Sequence, residues 1–330
     1  MIVEVAALVD CERVDVFLSW QLSKTRTAVQ RLIKSGNVKC DEAAVKKPSA
    51  KVTAGQKFTV DIPDSLNLTY LKADPVNFEV VYEDEHIFII NKPAGLVVHP
   101  APGSWRNTLV NGLVYRYPEM RKLPNWLRPG IVHRLDGGTS GLMIVARTEK
   151  ATLDFQRMFK DRTVSKHYIA LVHGVPEQRE GILSGPIDRD PRNFLRMVII
   201  EGGKPSLTGY KVLWSMNGIS LVECELFTGR THQIRVHMSG LGCPLVGDRA
   251  YGAEDEGLGR VYLHSWRLEF THPETGEAMK FRQPVTPDFL DRIANVKAGR
   301  PVDFREDVSA CADSASDDYD DDFDGELDAE

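Results

Sequence analysis

The chain of 330 residues is long enough for one large domain and one small module, and its formal net charge is −6. It has no apolar run of the roughly 18 residues that a membrane helix needs, and its first residues lack the features of a signal peptide, so we expect a soluble, cytoplasmic protein without a membrane partner. Five scattered cysteines without a Cys-x-x-Cys pair argue against a disulfide framework and against a zinc ribbon.

Two short helices are predicted near the N-terminus. In "RVDVFLSWQL" and "KTRTAVQRLIKSG" apolar residues recur at helical spacing, and Gly36 ends the second pattern. Short strands joined by turns are predicted between Gly36 and residue 62. Arg26 and Lys34 lie on or near the second helix of this basic segment, and a solvated helix face is the simplest interpretation of such charges.

A larger domain is predicted to follow a polar linker at residues 63–75. Residues 76–300 contain short runs rich in β-branched and aromatic residues, which Gly and Pro turns separate, and helical periodicity appears only between some of these runs. We therefore predict an α+β domain with a mixed, mainly antiparallel sheet, rather than a doubly wound parallel sheet.

The negative net charge comes from the C-terminal segment. Residues 301–330 hold 13 acidic residues and one arginine, which leaves 40 of the 41 basic and 34 of the 47 acidic residues to the rest of the chain. Residues 1–300 are therefore basic, as a nucleic-acid partner requires. So acidic a segment is predicted to be a disordered tail; a solvating role, self-inhibition of a basic RNA groove and partner binding are the interpretations left open.

The stretch "GIVHRLDGGTSGLMIVAR" carries the strongest chemical pattern. Asp136 follows Arg134 by two residues, so both side chains share one face of an extended segment, and a nearby guanidinium keeps a carboxylate ionised. An ionised carboxylate is the form that a nucleophile needs, whereas a capped turn is the structural alternative. The second carboxylate of a glycosidase pair is missing nearby in the sequence.

Three histidines near these motifs raise the question of a metal. His232 and His237 are five residues apart, which misses the i, i+4 spacing of zinc-binding pairs on a helix, and His133 has no thiol or acidic ligand repeated near it. We therefore predict no metal site. Structural hydrogen bonds close to the Asp136 segment are the expected role of these side chains.

"HRLDGGTSGLMIVART" resembles the signature of the RluA/RluD-like pseudouridine synthase family, His-Arg-Leu-Asp, two variable residues, then Thr-Ser-Gly-Leu. Four further motifs resemble those of the family: "VVYEDEHIFIINKPAGLVVHPA", "SKHYIALVHG", "TGRTHQIRVHMSGLGCPLVGDRAYG" and "LHSWRLEFTHP". All five motifs occur in the order that the family has, and together they cover nearly all of residues 80–284. Residues 13–62 resemble the S4-type RNA-binding domain, which makes Arg26 and Lys34 candidates for RNA contact.

The resemblance implies that the protein isomerises uridine within RNA, without cofactor or metal. On this basis Asp136 is the catalytic aspartate, Tyr168 packs against the target base and Arg230 pairs with the catalytic carboxylate. Arg134 fills the gap that the extruded base leaves, and Leu263 closes the apolar side of the site. Whether Asp136 attacks C1′ of the ribose, attacks C6 of the uracil, or removes a proton to give a glycal stays open.

The substrate is predicted to be large-subunit ribosomal RNA, and the protein is expected to be a monomer. The alternatives are a transfer-RNA target, a ribosome-assembly factor that binds RNA without turnover, and a nucleoside or glycoside hydrolase. One departure from the family pattern concerns Gly137 and Gly138, where relatives often carry larger polar residues. Two glycines predict a more flexible loop and the loss of a phosphate contact.

Overall fold

The structure is a computed structural model that describes residues 2–7, 10–22, 24, 26–62, 71–101, 104–123, 125, 127–252 and 259–299. The chain divides into two compact units. One contains the residues up to Lys72 together with Arg121–Pro129, and the other contains Ala73–Met120 and the residues from Gly130 onward. The predicted acidic tail, and residues 63–70 of the predicted linker, lie outside the described residues.

The first unit is built from two helices and an antiparallel sheet of strand order β1-β4-β2-β3. Its elements are β1 (Ile2–Ala6), α1 (Val14–Gln21), α2 (Arg26–Lys34), β2 (Val38–Cys40), β3 (Ala43–Ala44) and β4 (Lys57–Asp61). Leu18, Leu32 and Val60 are fully buried in its core, as the helical spacing of apolar residues requires. The two predicted helices are confirmed, whereas β1 lies outside the predicted 13–62 domain.

The turn between β2 and β3 adopts a left-handed backbone without glycine. Asp41 and Glu42 have φ angles of 46° and 68°, the positive sign that a type I′ turn between antiparallel strands needs at both positions. The Asp41 carboxylate accepts a hydrogen bond from the backbone N–H of Lys57 at 3.0 Å. This bond to β4 stabilises a turn for which the sequence offers no Asn-Gly pair.

The second unit contains the remaining elements. Its strands are β5 (Glu79–Glu83), β6 (Ile87–Lys92), β7 (Ser140–Ala146), β8 (Ser165–His173), β9 (Glu180–Ser184), β10 (Ile187–Asp190), β11 (Asn193–Ile199), β12 (Leu207–Met216), β13 (Ile219–Leu226), β14 (Leu263–Thr271) and β15 (Ala278–Arg282). Its α-helices are α3 (Leu109–Arg116), α4 (Glu149–Lys160), α5 (Gln233–Gly240) and α6 (Pro287–Lys297).

One large sheet organises the second unit, with the strand order β5-β6-β7-β14-β8-β13-β12-β9 and β15 paired with β14. Within the described residues of this sheet, β7 and β14 form the one parallel pair. The predicted α+β class with a mixed, mainly antiparallel sheet is therefore confirmed. Phe155 of α4 packs with Ile144 and Leu268 in one core cluster, and Phe289 of α6 packs with Leu171 in another.

A separate hairpin, β10 and β11, stands outside the large sheet and packs on α5. Ile187 of the hairpin shares a buried cluster with Val236 of α5 and with Tyr251, and Met197 packs against the same cluster. The backbone N–H of Met197 donates to the Tyr251 hydroxyl at 2.7 Å. The hairpin is thus fastened to the part of the unit that carries the arginine motif.

The described end of the predicted linker is held by an ion pair. Asp74 is only 2% exposed, and its carboxylate accepts hydrogen bonds from Arg106 Nε at 2.9 and 3.0 Å and from the Asn107 backbone N–H at 3.0 Å. A carboxylate that is buried in this way needs such partners to remain charged. Residues near Asp74 are therefore part of the second unit's packed structure.

Gly141, which matches the glycine of the Thr-Ser-Gly-Leu motif, is required by the close approach of β7 to β14. Its φ angle is +109°, and a β carbon at this position would lie 2.2 Å from the backbone oxygen of Ser265. No side chain fits there without separating the two strands. The pair joins the two parts of the sheet at the strand that follows the Asp136 segment.

We predict that Gly141→Ala lowers the free energy of unfolding of the second unit by about 3 kcal/mol, because it adds both backbone strain and a steric clash. Urea unfolding measures the change. Gly218→Ala is the matched control: Gly218 has a φ angle of +76°, but a β carbon added to it would have no atom within 4 Å, so it should cost only about 1 kcal/mol. Equal losses would show that packing against Ser265 is not the constraint.

Candidate active site

Asp136 lies in the loop that leads into β7, and the backbone of this loop is fixed. The Thr139 N–H donates to the Asp136 carbonyl at 3.0 Å, and the Gly137 carbonyl accepts hydrogen bonds from Gly95 N–H at 2.8 Å and from Lys92 Nζ at 3.0 Å. The flexibility expected from the glycine pair is therefore offset at Gly137 by bonds to its carbonyl. These contacts set the direction of the neighbouring carboxylate.

A buried arginine holds the Asp136 carboxylate. Arg235 Nη1 donates to Asp136 Oδ2 at 3.2 Å, while its Nε and Nη2 donate to the two carboxylate oxygens of Asp248 at 2.8 and 3.0 Å. Arg235 is 6% exposed and Asp248 2% exposed. Among the described residues, Asp136 Oδ1 has no hydrogen-bond partner, so one oxygen is held and the other is available.

The predicted pairing of Arg230 with Asp136 is corrected by this geometry. Arg230 lies in the loop before α5, where its Nε donates to the Pro205 carbonyl at 3.3 Å. The helix begins at Gln233, so Arg235 stands in its first turn with its side chain directed inward. The helix start, which the family match did not supply, decides which arginine reaches the carboxylate.

The charges around Asp136 keep it ionised. Burial alone would raise the pKa of the Asp136 carboxyl, but the positive charges of His232 when protonated, of Arg235 and of Arg134 outweigh burial and lower this pKa below its usual value. Burial lowers the pKa of His232 to about 4, so at neutral pH the two arginines are the charges that act. The carboxylate is therefore negative at neutral pH.

His232 lies near the Asp136 carboxylate and contacts Tyr251, to which the sequence motifs assigned no role. His232 Nε2 lies 3.9 Å from Asp136 Oδ2, and its Nδ1 lies 3.0 Å from the Tyr251 hydroxyl. Because Met197 N–H already donates to this hydroxyl, its own proton is available to the neutral His232 Nδ1. The Tyr251 ring also stacks 5.1 Å from the Arg235 guanidinium carbon.

Tyr168 and Leu263 lie on one face of the large sheet. Tyr168 is opposite Ser265, and Leu263 is opposite Ala170 in the β8–β14 pair, and directly opposed residues project to the same side. Burial raises the pKa of the Tyr168 hydroxyl, and the charge of Asp136 raises it further. Tyr168 is therefore a neutral phenol whose pKa responds to the charge of Asp136. Both predicted residues, Tyr168 and Leu263, lie on this face of the sheet.

Arg134 is placed near the same carboxylate. It is partly exposed, and its charge contributes to the lowered pKa values of both Asp136 and His232. The expectation that Arg134 and Asp136 are electrostatic neighbours agrees with this placement. The role of Arg134 toward RNA stays a prediction.

Arg26 and Lys34 lie in the first unit. Asp15 is fully buried there and accepts hydrogen bonds from Arg13 at 2.9 Å and from Gln30 at 2.8 Å, while Arg26 Nη2 lies 3.5 Å away. Burial alone would raise the pKa of Asp15, but these bonds and the charges of both arginines lower it to about 2. Asp15 thus orients Arg26, whose side chain is 53% exposed, and Lys34 is exposed in the last turn of α2.

Two further properties concern the described part of the chain. Its residues contain no group of three or more His, Cys, Asp or Glu side chains arranged to hold a metal ion. None of the helices found there is both long enough and apolar enough to cross a membrane.

Comparisons with known proteins identify two regions. The model of the RNA pseudouridylate synthase family matches residues 86–240, and that of the S4 domain matches residues 12–57. An uncharacterized RNA pseudouridine synthase of Bacillus subtilis, YlyB, is 40% identical over 288 residues, 87% of this chain and 94% of its own. The ribosomal large subunit pseudouridine synthase D of Nitrosomonas europaea is 40% identical over 282 residues, 83% of this chain and 80% of its own.

A solved structure agrees with these sequence matches. Human RNA pseudouridylate synthase domain containing 1 superposes with a TM-score of 0.53 at 30% identity, over 69% of this chain and 98% of the human one. The similarity in fold therefore extends over nearly the whole of that protein.

We predict that Arg235→Gln destabilises the second unit by about 3 kcal/mol or more, because it leaves the Asp248 carboxylate buried without its charged partner. Urea unfolding at pH 7 measures this loss. The double variant Arg235→Gln with Asp248→Asn should recover part of it. Arg230→Gln, the control, should change the free energy by less than about 0.5 kcal/mol; a loss as large as that of Arg235→Gln would contradict the correction.

The Asp15 carboxyl predicts how the first unit responds to acid. Because its folded pKa of about 2 lies below an unfolded value of about 4, its contribution is complete above pH 5 and is lost as the pH falls from 4 toward 2. Asp15→Asn should remove about 2 kcal/mol at pH 7 and flatten this acid dependence. Hydrogen exchange of first-unit amides measures both effects.

Glu12→Gln is the matched control for this acid experiment. Glu12 forms an exposed ion pair with Lys51, 3.3 Å away, and exposed pairs contribute little. This variant should keep the wild-type pH profile. An Asp15→Asn protein with the same profile would show that the buried carboxylate does not stabilise the unit.

Proposed function

The chain belongs to the RNA pseudouridylate synthase family, and from this premise we propose that it isomerises uridines of large-subunit ribosomal RNA. Its relatives in Nitrosomonas europaea and Neisseria meningitidis, each 40% identical, bear the name ribosomal large subunit pseudouridine synthase D. The S4 domain match at residues 12–57 supports an RNA as the partner. A transfer RNA is the second candidate substrate.

The observation that carries the catalytic assignment is the state of Asp136. Its Oδ2 accepts a hydrogen bond from Arg235 at 3.2 Å, while Oδ1 is without a hydrogen-bond partner among the described residues. The Asp136 side chain is 19% exposed. Arg235 also lies between Asp136 and a second carboxylate, so its charge is shared. We propose that Oδ1 is the atom that acts on the nucleotide.

The reaction requires this ionised oxygen. In the isomerisation the N1–C1′ bond breaks and a C5–C1′ bond forms, and overall one proton leaves C5 and one is gained at N1. Attack of Asp136 on C1′, attack on C6, and proton removal to a glycal all begin with the negative carboxylate. The low pKa of Asp136 provides this form at neutral pH without a metal or cofactor in the proposed reaction.

The target base must leave its stack before Asp136 can reach the nucleotide, at a cost of a few kcal/mol. We propose that Arg134 occupies the gap, since a planar guanidinium can stack on bases and contact phosphate. Tyr168 and Leu263, on the same face of the sheet, would hold the detached uracil. Their apolar surface would exclude water, which could otherwise capture the sugar and turn isomerisation into hydrolysis.

The two regions of the chain have different proposed tasks. Residues 13–62, with Arg26 and Lys34, bind RNA, and residues 76–300 carry the catalytic site. Residues 63–75 connect them and residues 301–330 form an acidic tail. We further propose that the protein is a cytoplasmic monomer.

We predict that Asp136→Asn abolishes pseudouridine formation, with a loss of at least about 10³-fold in kcat. Pseudouridines are mapped in total RNA from cells with the intact gene, a deletion or the variant. At least one site in large-subunit ribosomal RNA should vanish in both altered strains. Asp161→Asn, which changes an exposed carboxylate at the end of α4, should retain every site.

Each other outcome of the mapping has a definite meaning. Loss of sites in transfer RNA alone would replace the ribosomal substrate by the second candidate. Unchanged sites in the deletion and in Asp136→Asn would contradict the proposed activity.

A further inference from the structure

Lys166 is a buried charge that the proposed reaction does not use. It stands in β8 two residues before Tyr168, so both side chains project from the same face of the strand. Lys166 is only 9% exposed, and its Nζ lies 5.3 Å from the centroid of the Phe159 ring. The same Nζ is 3.7 Å from the place that a β carbon on Gly229 would take.

The ammonium group of Lys166 lacks an acceptor. Within the part of the chain that the structure describes, its Nζ makes neither a hydrogen bond nor an ion pair. Lys92 is a useful comparison, because its fully buried Nζ donates to the carbonyls of Pro93, Leu96 and Gly137 at 2.6 to 3.0 Å. The fold thus satisfies a structural lysine with three oxygens and leaves Lys166 with one aromatic ring.

Such an arrangement leaves the ammonium group dependent on water or on a ligand for its hydrogen bonds. An ammonium group needs hydrogen-bond acceptors, and a ring face attracts the charge without accepting its three N–H bonds in the way that oxygen does. An anion that enters beside Gly229 would supply the missing oxygens.

The neighbours of Lys166 favour an anion over a cation or a neutral group. Burial lowers the pKa of Lys166 to about 8, and no carboxylate contributes to this pKa. Burial, together with the charge of Lys166, lowers the pKa of His133 to about 3, so His133 is neutral. The ammonium form therefore predominates at pH 7 and is not already neutralised.

We propose that Lys166 binds a phosphate group of the substrate RNA, next to the uridine that contacts Tyr168. Two residues of a strand span about 7 Å, so the RNA backbone could pass Lys166 while the flipped base reaches Tyr168. Gly229, which has no side chain, keeps the approach to Nζ open. This contact requires an RNA substrate, as the proposed function does, but it holds for any RNA that the enzyme modifies.

Kinetics of Lys166→Met and Lys166→Arg test the contact, with a transcript that the wild-type enzyme modifies. Lys166→Met should raise KM about tenfold with kcat changed less than about twofold, and should reduce the slope of log(kcat/KM) against log salt by about 0.7 to 1. Lys166→Arg should restore most of the affinity and of the slope. The control Lys211→Met, at an exposed position of β12, should behave as wild type.

A second measurement starts from wild-type protein, whose response to each change in the RNA does not depend on the folding of a variant. Neutral methylphosphonates replace the phosphates around the target uridine one at a time. One replacement should weaken the wild-type enzyme about tenfold and should have little further effect on Lys166→Met, as expected for a coupled pair. A wild-type enzyme that tolerates every replacement, or a Lys166→Met enzyme with normal KM and salt slope, would overturn the proposal.

Failure of this contact is distinguishable from failure of the proposed function. An enzyme that modifies RNA but fails the Lys166 tests retains its function and loses only the phosphate contact. Absence of any modification in the mapping experiment is the separate result that contradicts the function.

Discussion

The arrangement of the active site depends on one buried guanidinium shared by two carboxylates. Arg235 is bound by both oxygens of Asp248 and by one oxygen of Asp136. The two-point contact to Asp248 fixes the arginine, and the one-point contact to Asp136 leaves its other oxygen without a hydrogen bond among the described residues. Asp248 thus provides the rigidity that the catalytic role proposed for Asp136 requires.

Two parts of the second unit, α5 and the contacts of Tyr251, hold Arg235 in place. α5 begins directly after His232, whose φ angle of 53° is left-handed, and Arg235 stands in the first turn of this helix. The Tyr251 ring contacts two guanidinium groups, those of Arg235 and of Arg196 in β11, each with its carbon 5.1 Å from the ring centroid. The separate hairpin is thereby part of the support of Asp136, although its two strands are not strands of the large sheet.

The sequence predicted well what depends on local patterns. Short runs rich in β-branched and aromatic residues indicated strands, now found as β6, β7, β8, β13 and β15, and helical periodicity between such runs indicated helices, of which α5 is one. The motif around Asp136 indicated the ionised carboxylate. The choice between Arg230 and Arg235 could not be made in this way, because it depends on the residue at which α5 begins and on Asp248, a partner 13 residues away. A charged residue inside an apolar helical pattern, as Arg235 is, was the available signal.

The position of β14 has a consequence for how the protein is made. β14 is synthesised after β5–β13, yet it lies between β7 and β8 and joins two half-sheets that have no other pairing within the described residues. Until it emerges from the ribosome, β7 and β8 each present an open edge, and the β7–β14 pair joins residues as far apart as Ser140 and His264. Such long-range pairing folds slowly and exposes edges to aggregation. Because Leu263 begins this strand, the residue proposed to close the apolar side of the site is placed only when the large sheet itself closes, late in synthesis.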